Sequence, residues 1–321
     1  MKSLCLESDV SISPASLLDA IFLRCEGAYA DITMRNYRRD LENFAIWCRK
    51  EDVSFLPAQP LDVAHHVNGL IEAYTFSTIR RRVSAIKFAH RMMDIPSPTD
   101  TSDVYLALRR AKRQKGRRPT QALGLTAELL HRILQACPDT LSGKRDAALI
   151  SVGYDTLCRS AELCWMQVAD VDLDAQTAYI ARAKNDPFGD GRHAALSNRT
   201  VAHVRDWLSA SKVKSGPIFR GLHTLEAGKS QLETSSIRRL VKAAARRAGL
   251  NDASLRLSGH SMRVGAAQDL MVAGYDTLAI MTAGGWKNAE IVARYVEKAR
   301  LCRKDGFLFA DPSLRLNALS D

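Results

Sequence analysis

The chain has 321 residues, and this length predicts two domains, because single domains commonly contain about 100–200 residues. Lys and Arg total 46 against 35 Asp and Glu, so the formal net charge is +11 and favours a polyanionic partner, either nucleic acid or an anionic membrane surface. No apolar run approaches the ~20 residues that span a bilayer, and the first residues lack a signal-peptide pattern, which predicts a soluble cytoplasmic protein without a membrane partner. The scattered cysteines, without a CxxC pair, indicate neither a disulfide framework nor a zinc site.

Two amphipathic helices are predicted in the first hundred residues. The first begins near Thr33, the candidate N-cap, because apolar residues follow at helical spacing. The second begins at Ser77 and has an apolar stripe and a separate basic, hydrogen-bonding face. The stripe consists of Ile79, Val83 and Ile86, and the other face of Arg80, Ser84, Lys87 and Arg91. For an isolated helix, a solvated surface explains these charges equally well.

A basic run separates this region from the rest of the chain. In "ALRRAKRQKGRRPTQALGLT", Lys and Arg residues crowd together before Pro119, and helix-breaking residues precede the segment. We therefore predict a helical domain over residues 13–115, a basic linker over 116–124 and a second domain over 125–321. Such a pair of domains could close around a duplex and release counterions from its phosphates, although an ordinary solvated linker carries similar charge.

The second domain is predicted to be mostly helical. Thr126 opens a helix that Pro138 ends, and the helical pattern returns from Thr234 onward. Between them, residues 178–183 and a return segment over 193–196 resemble two strands around a Pro, Gly and Asp turn and form the only clear hairpin. The fold class is therefore mainly α, with a helical amino-terminal domain and a mostly helical second domain that contains a small antiparallel β-sheet.

Two pairs of charged residues in this domain have spacing that suits chemistry. Arg159 and Glu162 lie three apart among apolar residues and cysteines, where unpaired charge is rarely buried. His260 and Arg263 lie three apart at the start of a predicted helix, where both could reach one phosphate. A surface ion pair and a helix-end histidine are the ordinary structural explanations.

Further along, two glycines break a helix before Trp286, and Asn288 can cap the helix that follows. The predicted inward stripe of that helix consists of Ile291, Val292, Tyr295, Val296 and Ala299. By that pattern alone, Trp286 and Tyr295 are core residues, and a buried tyrosine normally finds a hydrogen-bond partner.

Together, these residues resemble the pattern of the tyrosine recombinases, the phage integrase family. The resemblance rests on "YDTLCRSAEL", "GHSMRVGAAQDLMVAG" and "IMTAGGWKNAEIVARYV", with Lys184 at the hairpin between the first and second segments. It covers most of the chain and implies the DNA breaking and rejoining fold of that family, with a DNA core-binding domain over residues 13–115 and a catalytic domain over 125–321. Many members carry His where this chain has Trp286, and the segment from Lys184 to Leu196 fits the pattern least well.

The resemblance implies phosphoryl transfer from DNA to a tyrosine through a covalent 3′-phosphotyrosyl intermediate. Tyr295 is then the nucleophile, while Arg159, Arg263 and Trp286 donate hydrogen bonds to the phosphate oxygens. Lys184 is the general acid, His260 assists proton transfer at the tyrosine, and Glu162 orients a neighbouring basic group. Neither ATP nor a metal ion nor any other cofactor is implied.

The implied partner is a double-stranded DNA recombination site, with four protomers on two sites, strand exchange through a four-way junction, and a monomer possible in free solution. The tail, with Leu308, Phe309, Leu314 and Leu316, is predicted to dock on a neighbouring protomer, with self-docking or disorder as alternatives. Further DNA contacts are predicted at Arg80, Ser84, Lys87, Arg91, Arg110, Arg113, Lys115, Arg238, Arg239 and Lys242. A type IB topoisomerase-like strand transferase and a non-catalytic DNA-binding protein of the same fold are the alternative functions.

Overall fold

The computed structural model describes residues 13–116, 121–181, 191–223 and 226–301. It divides into two compact units, Met1–Pro119 and Thr120–Asp321, whose boundary falls inside the predicted linker. The described residues are mostly helical with small antiparallel sheets, which confirms the predicted fold class. None of the helices in these ranges is long and apolar enough to cross a membrane.

The described residues of the amino-terminal unit form five α-helices. Their bounds are α1 Pro14–Arg24, α2 Asp31–Lys50, α3 Pro60–Leu70, α4 Phe76–Met92 and α5 Ser102–Lys115, with a 3-10 turn at Pro98–Asp100. Each helix contributes apolar side chains to one buried core, among them Leu41, Phe44 and Ile79. The basic residues from Arg109 to Lys115 lie on α5, so much of the basic run is helical.

The two helices predicted in this unit are both present, with different starts. Helix α2 begins at Asp31 after Ala30, which makes no side-chain capping bond, so the prediction of Thr33 as the N-cap is wrong. Helix α4 begins at Phe76, and the hydroxyl of Thr75 accepts a hydrogen bond from the backbone N–H of Thr78. Its predicted apolar stripe is buried, which fixes the helix so that the basic face points away from the core.

The carboxy-terminal unit contains nine helices and five strands among the described residues. The helices are α6 Ala127–Gln135, α7 Leu141–Asp155, α8 Ser160–Trp165, α9 Asn198–Ser211, α10 Thr234–Arg247, α11 Asn251–Arg256, α12 Ser261–Val272, α13 Thr277–Gly284 and α14 Ala289–Leu301. The strands are β1 Val171–Asp172, β2 Thr177–Ile180, β3 Arg192–Ala195, β4 Arg220–His223 and β5 Glu226–Gln231. The predicted starts after Thr126 and at Thr234 agree with α6 and α10.

Strands β1, β2 and β3 form an antiparallel sheet in that order, and Ile180 lies opposite Arg192. The predicted hairpin is therefore present, although β2 ends at Ile180 and residues 182–190 lie outside the described ranges. The prediction that it is the only clear hairpin is wrong, because β4 and β5 form a second antiparallel pair. Glycine, lysine and serine in β5 replace the apolar alternation that would have marked it as a strand.

A large apolar core surrounds α7, whose residues from Ala147 to Val152 are all buried. A smaller buried cluster joins the end of α7 to the last three helices. It consists of Leu157, Ala266, Ala267, Ile280, Trp286, Val292 and Val296, with Tyr295 packed against it. This second cluster holds α12, α13 and α14 together beneath the candidate site.

Candidate active site

Arg159 and Glu162 form an ion pair at the start of α8. Glu162 accepts hydrogen bonds from the backbone N–H of Arg159 at 2.9 Å and from its guanidinium at 2.6 Å. The Glu162 side chain is 1% exposed, whereas that of Arg159 is 23% exposed. The buried carboxylate therefore holds the arginine in place, while part of the Arg159 side chain remains exposed.

Arg263 lies on α12 and its side chain is fully buried. Its Nη1 donates to the carbonyl of Leu157, a residue in the left-handed backbone region with φ +50°. Its Nε and Nη2 have no hydrogen-bond partner among the residues that the structure describes. Burial and the neighbouring Arg159 lower the pKa of Arg263 to about 10, which leaves it cationic at neutral pH. A buried cation with unused donors is the environment that an anionic ligand would complete.

Trp286 forms one wall of this site through a turn that glycines allow. The Arg263 guanidinium lies 3.9 Å from the centroid of the Trp286 ring, which is a cation–π contact. A Cβ on Gly284 would stand 2.0 Å from a carbon of that ring. Gly285 ends α13 in the left-handed region with φ +63°, which favours glycine. Both glycines are therefore required for the indole to lie against the guanidinium.

His260 and Tyr295 meet at the centre of the site. The Nε2 atom of His260 is 2.5 Å from the hydroxyl oxygen of Tyr295, and the Trp286 ring centroid is 5.6 Å from that of Tyr295. Burial, Arg263 and Arg159 lower the pKa of His260 to about 4, so the imidazole is neutral at pH 7. Burial raises the pKa of Tyr295, although Arg263 and Arg159 oppose that rise. The neutral imidazole of His260 can therefore act as a general base toward the hydroxyl of Tyr295.

Two amide side chains hold the backbone of α14 at this point. Gln268 and Gln121 both donate from Nε2 to the carbonyl of Tyr295, at 3.0 Å and 3.4 Å. The helix begins next to Asn288, whose side chain accepts from the backbone N–H of Glu290 at 2.7 Å, as predicted for a cap. Of the predicted inward stripe, Val292 and Val296 are buried, but Ile291 is 41% exposed, so its assignment to the core is wrong.

Arg192, which the sequence did not single out, also belongs to this region. Its guanidinium donates to the carbonyls of Thr156 at 2.7 Å and Ala283 at 2.9 Å, and lies 3.8 Å from a carboxylate oxygen of Glu162. In the sequence it follows the turn-like run "GDG", where an arginine looks solvated. The sequence alone carries no signal for this role. Only the fold shows that Arg192 begins a strand beside the buried carboxylate of Glu162.

The structure thus brings Arg159, Glu162, His260, Arg263, Trp286 and Tyr295 into one region. The predicted general acid Lys184 and the predicted docking tail with Leu308, Phe309, Leu314 and Leu316 lie outside the described residues. In the described part of the chain, no group of three or more His, Cys, Asp and Glu side chains is arranged to hold a metal ion.

The family models place this arrangement among known proteins. The model described as the phage integrase family matches residues 124–301, more than half of the chain, and that of the phage integrase N-terminal SAM-like domain matches residues 20–92. The chain belongs to the phage integrase family.

Relatives of this family member match along nearly the whole chain. An integrase/recombinase xerD homolog from Selenomonas ruminantium is 29% identical over 291 residues, covering 87% of this chain and 85% of the relative. Recombinase cre of Escherichia phage P1 is 29% identical over 290 residues, covering 84% of each chain. The resemblance to tyrosine recombinases is thereby confirmed.

Solved structures of the same fold include complexes with DNA. The XerH site-specific recombinase bound to its palindromic difH substrate has a TM-score of 0.65 at 16% identity, with 90% of this chain and 82% of that chain covered. A lambda integrase tetramer bound to a Holliday junction has a TM-score of 0.62 at 17% identity, with 91% and 79% covered. At these identities the likeness establishes the fold of this phage integrase family member.

The predicted DNA-contact residues of this phage integrase family member comprise six arginines, three lysines and one serine. Six arginines have exposed side chains, namely Arg80, Arg91, Arg110, Arg113, Arg238 and Arg239. The lysines are half-buried and already have partners: Lys87 with Asp100, Lys115 with Glu72, and Lys242 with the carbonyl of Leu255. Ser84 is exposed but donates its hydroxyl to the carbonyl of Arg80. Arg239 likewise donates to the hydroxyl of Ser236 at 3.0 Å, so the other five arginines are the stronger candidates for phosphate contact.

Proposed function

We propose that this protein is a site-specific DNA recombinase and that Tyr295 is its nucleophile. The observation that carries the proposal is the 2.5 Å contact between the Tyr295 hydroxyl and His260, beside the buried Arg263 with its two unused donor nitrogens. These groups are what phosphoryl transfer to a tyrosine needs: a hydroxyl, an adjacent base and fixed positive charge. Membership of the phage integrase family supports the same reaction.

In the proposed reaction, a phosphodiester of the DNA backbone lies between Tyr295 and the arginines. The Nε and Nη2 donors of Arg263 and the exposed part of Arg159 hold its nonbridging oxygens, where negative charge grows in the transition state. Trp286 donates its indole N–H to the same phosphate, and Glu162 keeps Arg159 in position. Guanidinium groups suit this role because they stay charged and form forked hydrogen bonds.

The bonds and protons balance as follows. The Tyr295 oxygen forms a bond to phosphorus while the bond from phosphorus to the 5′ oxygen breaks, which gives a 3′-phosphotyrosyl bond and a free 5′ strand end. Neutral His260 accepts the phenol proton, and Lys184 supplies a proton to the departing 5′ oxygen. Attack by the 5′ hydroxyl of another strand reverses these steps, so no external energy source is needed.

The wider assembly follows from the same proposal. Residues 13–115 form the DNA core-binding domain, 116–124 the linker and 125–321 the catalytic domain, which act on DNA in the cytoplasm of a prokaryotic cell. Four protomers hold two sites and exchange strands through a four-way junction, the kind of DNA on which the lambda integrase tetramer was solved. The tail docks on a neighbouring protomer, for which a mainly apolar groove is a suitable acceptor. The groove is lined by Tyr154, Leu157, Ala195, Ala266, Leu270 and Ala273 together with the polar residues Asp155, Ser197 and Asp269.

The experiment uses the full chain and DNA that the protein itself selects. Duplexes are selected from a random-sequence pool by binding to the Tyr295→Phe variant, which keeps the binding surface but lacks the nucleophile. They are then incubated with the wild type and analysed on denaturing gels. We expect a covalent protein–DNA adduct with the wild type only. Tight binding without any adduct would favour the non-catalytic DNA-binding protein, and supercoil relaxation without exchange between paired sites would favour the topoisomerase-like enzyme.

A further inference from the structure

Arg192 lies behind the candidate active site rather than within it. It opens β3 opposite Ile180 of β2, and its side chain is 14% exposed. Its two Nη atoms already have backbone partners, since Nη1 donates to Ala283 and Nη2 donates to Thr156. The Sγ atom of Cys158 is a third neighbour and lies 3.8 Å from Nη2. A guanidinium with both ends engaged by the protein is better suited to hold backbone than to bind a phosphate.

The two carbonyls belong to the segments that present the phosphate-binding groups. Thr156 directly precedes Leu157, whose carbonyl accepts from Arg263, and that short segment continues to Arg159. Ala283 directly precedes the glycine pair that turns the chain toward Trp286. One planar guanidinium therefore joins the chain on one side of the site to the chain on the other.

The same arginine takes part in the electrostatics of the site. Glu162 pairs with Arg159 at 2.6 Å and lies 3.8 Å from Arg192, so one buried carboxylate is shared by two cations. Burial is the main cause of the lowered pKa of Arg263, and the charge of Arg192 is one of the contributors after Arg159. Loss of the Arg192 charge would thus alter both the pairing of Glu162 and the field at Arg263.

Close packing against Gly285 shows that the stem of Arg192 is also fixed. A Cβ at Gly285 would stand 3.3 Å from Cδ and Nε of Arg192. The αL glycine that sets the Trp286 turn therefore lies directly on the arginine stem, in addition to the hydrogen bond at Ala283.

We propose that Arg192 is a positioning residue for the phosphate site, holding Arg159, Arg263 and Trp286 in one arrangement. This inference rests on the proposed function, because it concerns the same phosphoryl transfer. Arg192 acts through the groups it holds and does not itself contact DNA. Its removal should slow the covalent step while DNA affinity stays the same.

The test measures the rate of covalent adduct formation at saturating protein, on a selected duplex nicked near the cleavage position so that the cut strand end is lost. Arg192→Gln removes the positive charge and the pair of Nη donors that bridge the two carbonyls. Arg192→Lys keeps the charge but has one ammonium group, which can reach only one carbonyl at a time. We expect a rate at least about 10-fold lower for Arg192→Gln, corresponding to about 1.4 kcal/mol, and an intermediate rate for Arg192→Lys. DNA affinity, measured by fluorescence anisotropy, should change less than about 2-fold.

The matched control is Arg145→Gln. Arg145 is also buried, pairs with Asp146 at 2.8 Å and donates to the carbonyl of Arg220, away from the site described above. The Arg145→Gln substitution should lower the melting temperature as much as Arg192→Gln does, without slowing adduct formation. If the two variants lose rate in proportion to their loss of melting temperature, Arg192 is only structural and the proposal is overturned.

A second substrate separates positioning of the phosphate site from an effect on the departing oxygen. A duplex with sulfur in place of the bridging 5′ oxygen releases a thiolate, which leaves without needing a proton. We expect the Arg192→Gln defect to persist on this duplex. Recovery of the wild-type rate would assign Arg192 to the hairpin that carries the general acid and would overturn the proposal. Absence of any wild-type adduct would overturn the proposed function as well, whereas a normal adduct rate in Arg192→Gln would overturn this inference alone.

Discussion

The Nε2 atom of His260 lies 2.5 Å from the hydroxyl oxygen of Tyr295, and burial together with the positive charge of Arg263 and Arg159 lowers the pKa of that imidazole to about 4. The imidazole is therefore uncharged at neutral pH, so one of its nitrogens is able to accept a hydrogen bond from the tyrosine hydroxyl. The same arginines oppose the rise that burial imposes on the pKa of Tyr295. One set of charges therefore favours both the neutral base and the ionised nucleophile.

The state of His260 can be measured directly in the protein without DNA. Because its pKa is lowered to about 4, the His260 imidazole should remain neutral as the pH falls from 7 to 5. In imidazole NMR spectra, the ring signal that is missing from His260→Gln should not titrate in that range, and neither should that of His66, whose pKa burial also lowers to about 4. A His260 signal with a midpoint near the ordinary histidine pKa would contradict the burial and charge described here.

The fit between Gly284 and Trp286 predicts a large effect from one methyl group. In Gly284→Ala the new Cβ overlaps three carbons of the Trp286 ring, at 2.0–2.6 Å, so the indole must leave the Arg263 guanidinium. We expect adduct formation to fall by about 10-fold or more with DNA binding retained. Gly69→Ala is the control, since nothing lies within 4 Å of its Cβ and helix α3 should gain about 0.5–1 kcal/mol of stability. Equal rates in wild type and Gly284→Ala would show that Trp286 has no part in the covalent step.

The exposed arginines should dominate the salt dependence of DNA binding. Arg80 is exposed on α4, whereas Lys87 on the same helix has its Nζ 2.6 Å from Asp100. Each phosphate contact that is lost should reduce the slope of log affinity against log salt by about 0.9. Arg80→Gln should therefore lower the slope by about that amount, and Lys87→Gln by less. Anisotropy titrations over a series of KCl concentrations provide the measurement, and a larger effect at Lys87 would reverse the assignment.

Histidine burial in the amino-terminal unit predicts a loss of stability in mild acid. His66 packs against the rings of both Phe44 and Trp47, and burial, followed by the nearby positive charge of Arg82, lowers its pKa to about 4. Below pH 6.5 the unfolded chain binds a proton that the folded chain does not, so folding stability falls as the pH drops toward 4.

The contribution of one such histidine is at most about 1.4 kcal/mol per pH unit. His66→Phe removes it, so the difference in melting temperature between pH 7 and pH 5 should be smaller than in wild type. His65→Gln, at the exposed neighbouring position, is the control. An unchanged difference in His66→Phe would mean that His66 is protonated in the folded protein.

The sequence was sufficient for those parts of the site in which spacing along one helix decides the contact. Arg159 and Glu162 are one helical turn apart, so their ion pair could be expected from the printed residues. The same holds for the break at Gly284 and the cap at Asn288, because these residues act on their own backbone. The pairing of His260 with Tyr295 spans 35 residues and entered through resemblance to a family.

Contacts between distant segments could not be predicted from residue spacing. Arg192 donates to two backbone carbonyls. Every residue has such a carbonyl, so the residue types do not indicate which ones will accept a hydrogen bond. Helix α2 starts two residues before the threonine that looked like its cap, because tertiary packing of its apolar face can outweigh a single capping bond. Ile291 fits the helical stripe but lies on the exposed flank, since periodicity gives the direction of a face and not its width.

The burial of Arg263 lowers the stability of the fold, although the proposed reaction depends on that residue. Its Nε and Nη2 atoms are shielded from solvent without a partner among the described residues, and the face of Trp286 compensates for only part of their lost hydration. An apolar side chain of similar volume would fill the same space without that cost, so a variant selected for thermal stability alone would discard this arginine. The resting protein is consequently less stable than its scaffold permits, and a phosphate bound as proposed above would supply the missing hydrogen-bond partners.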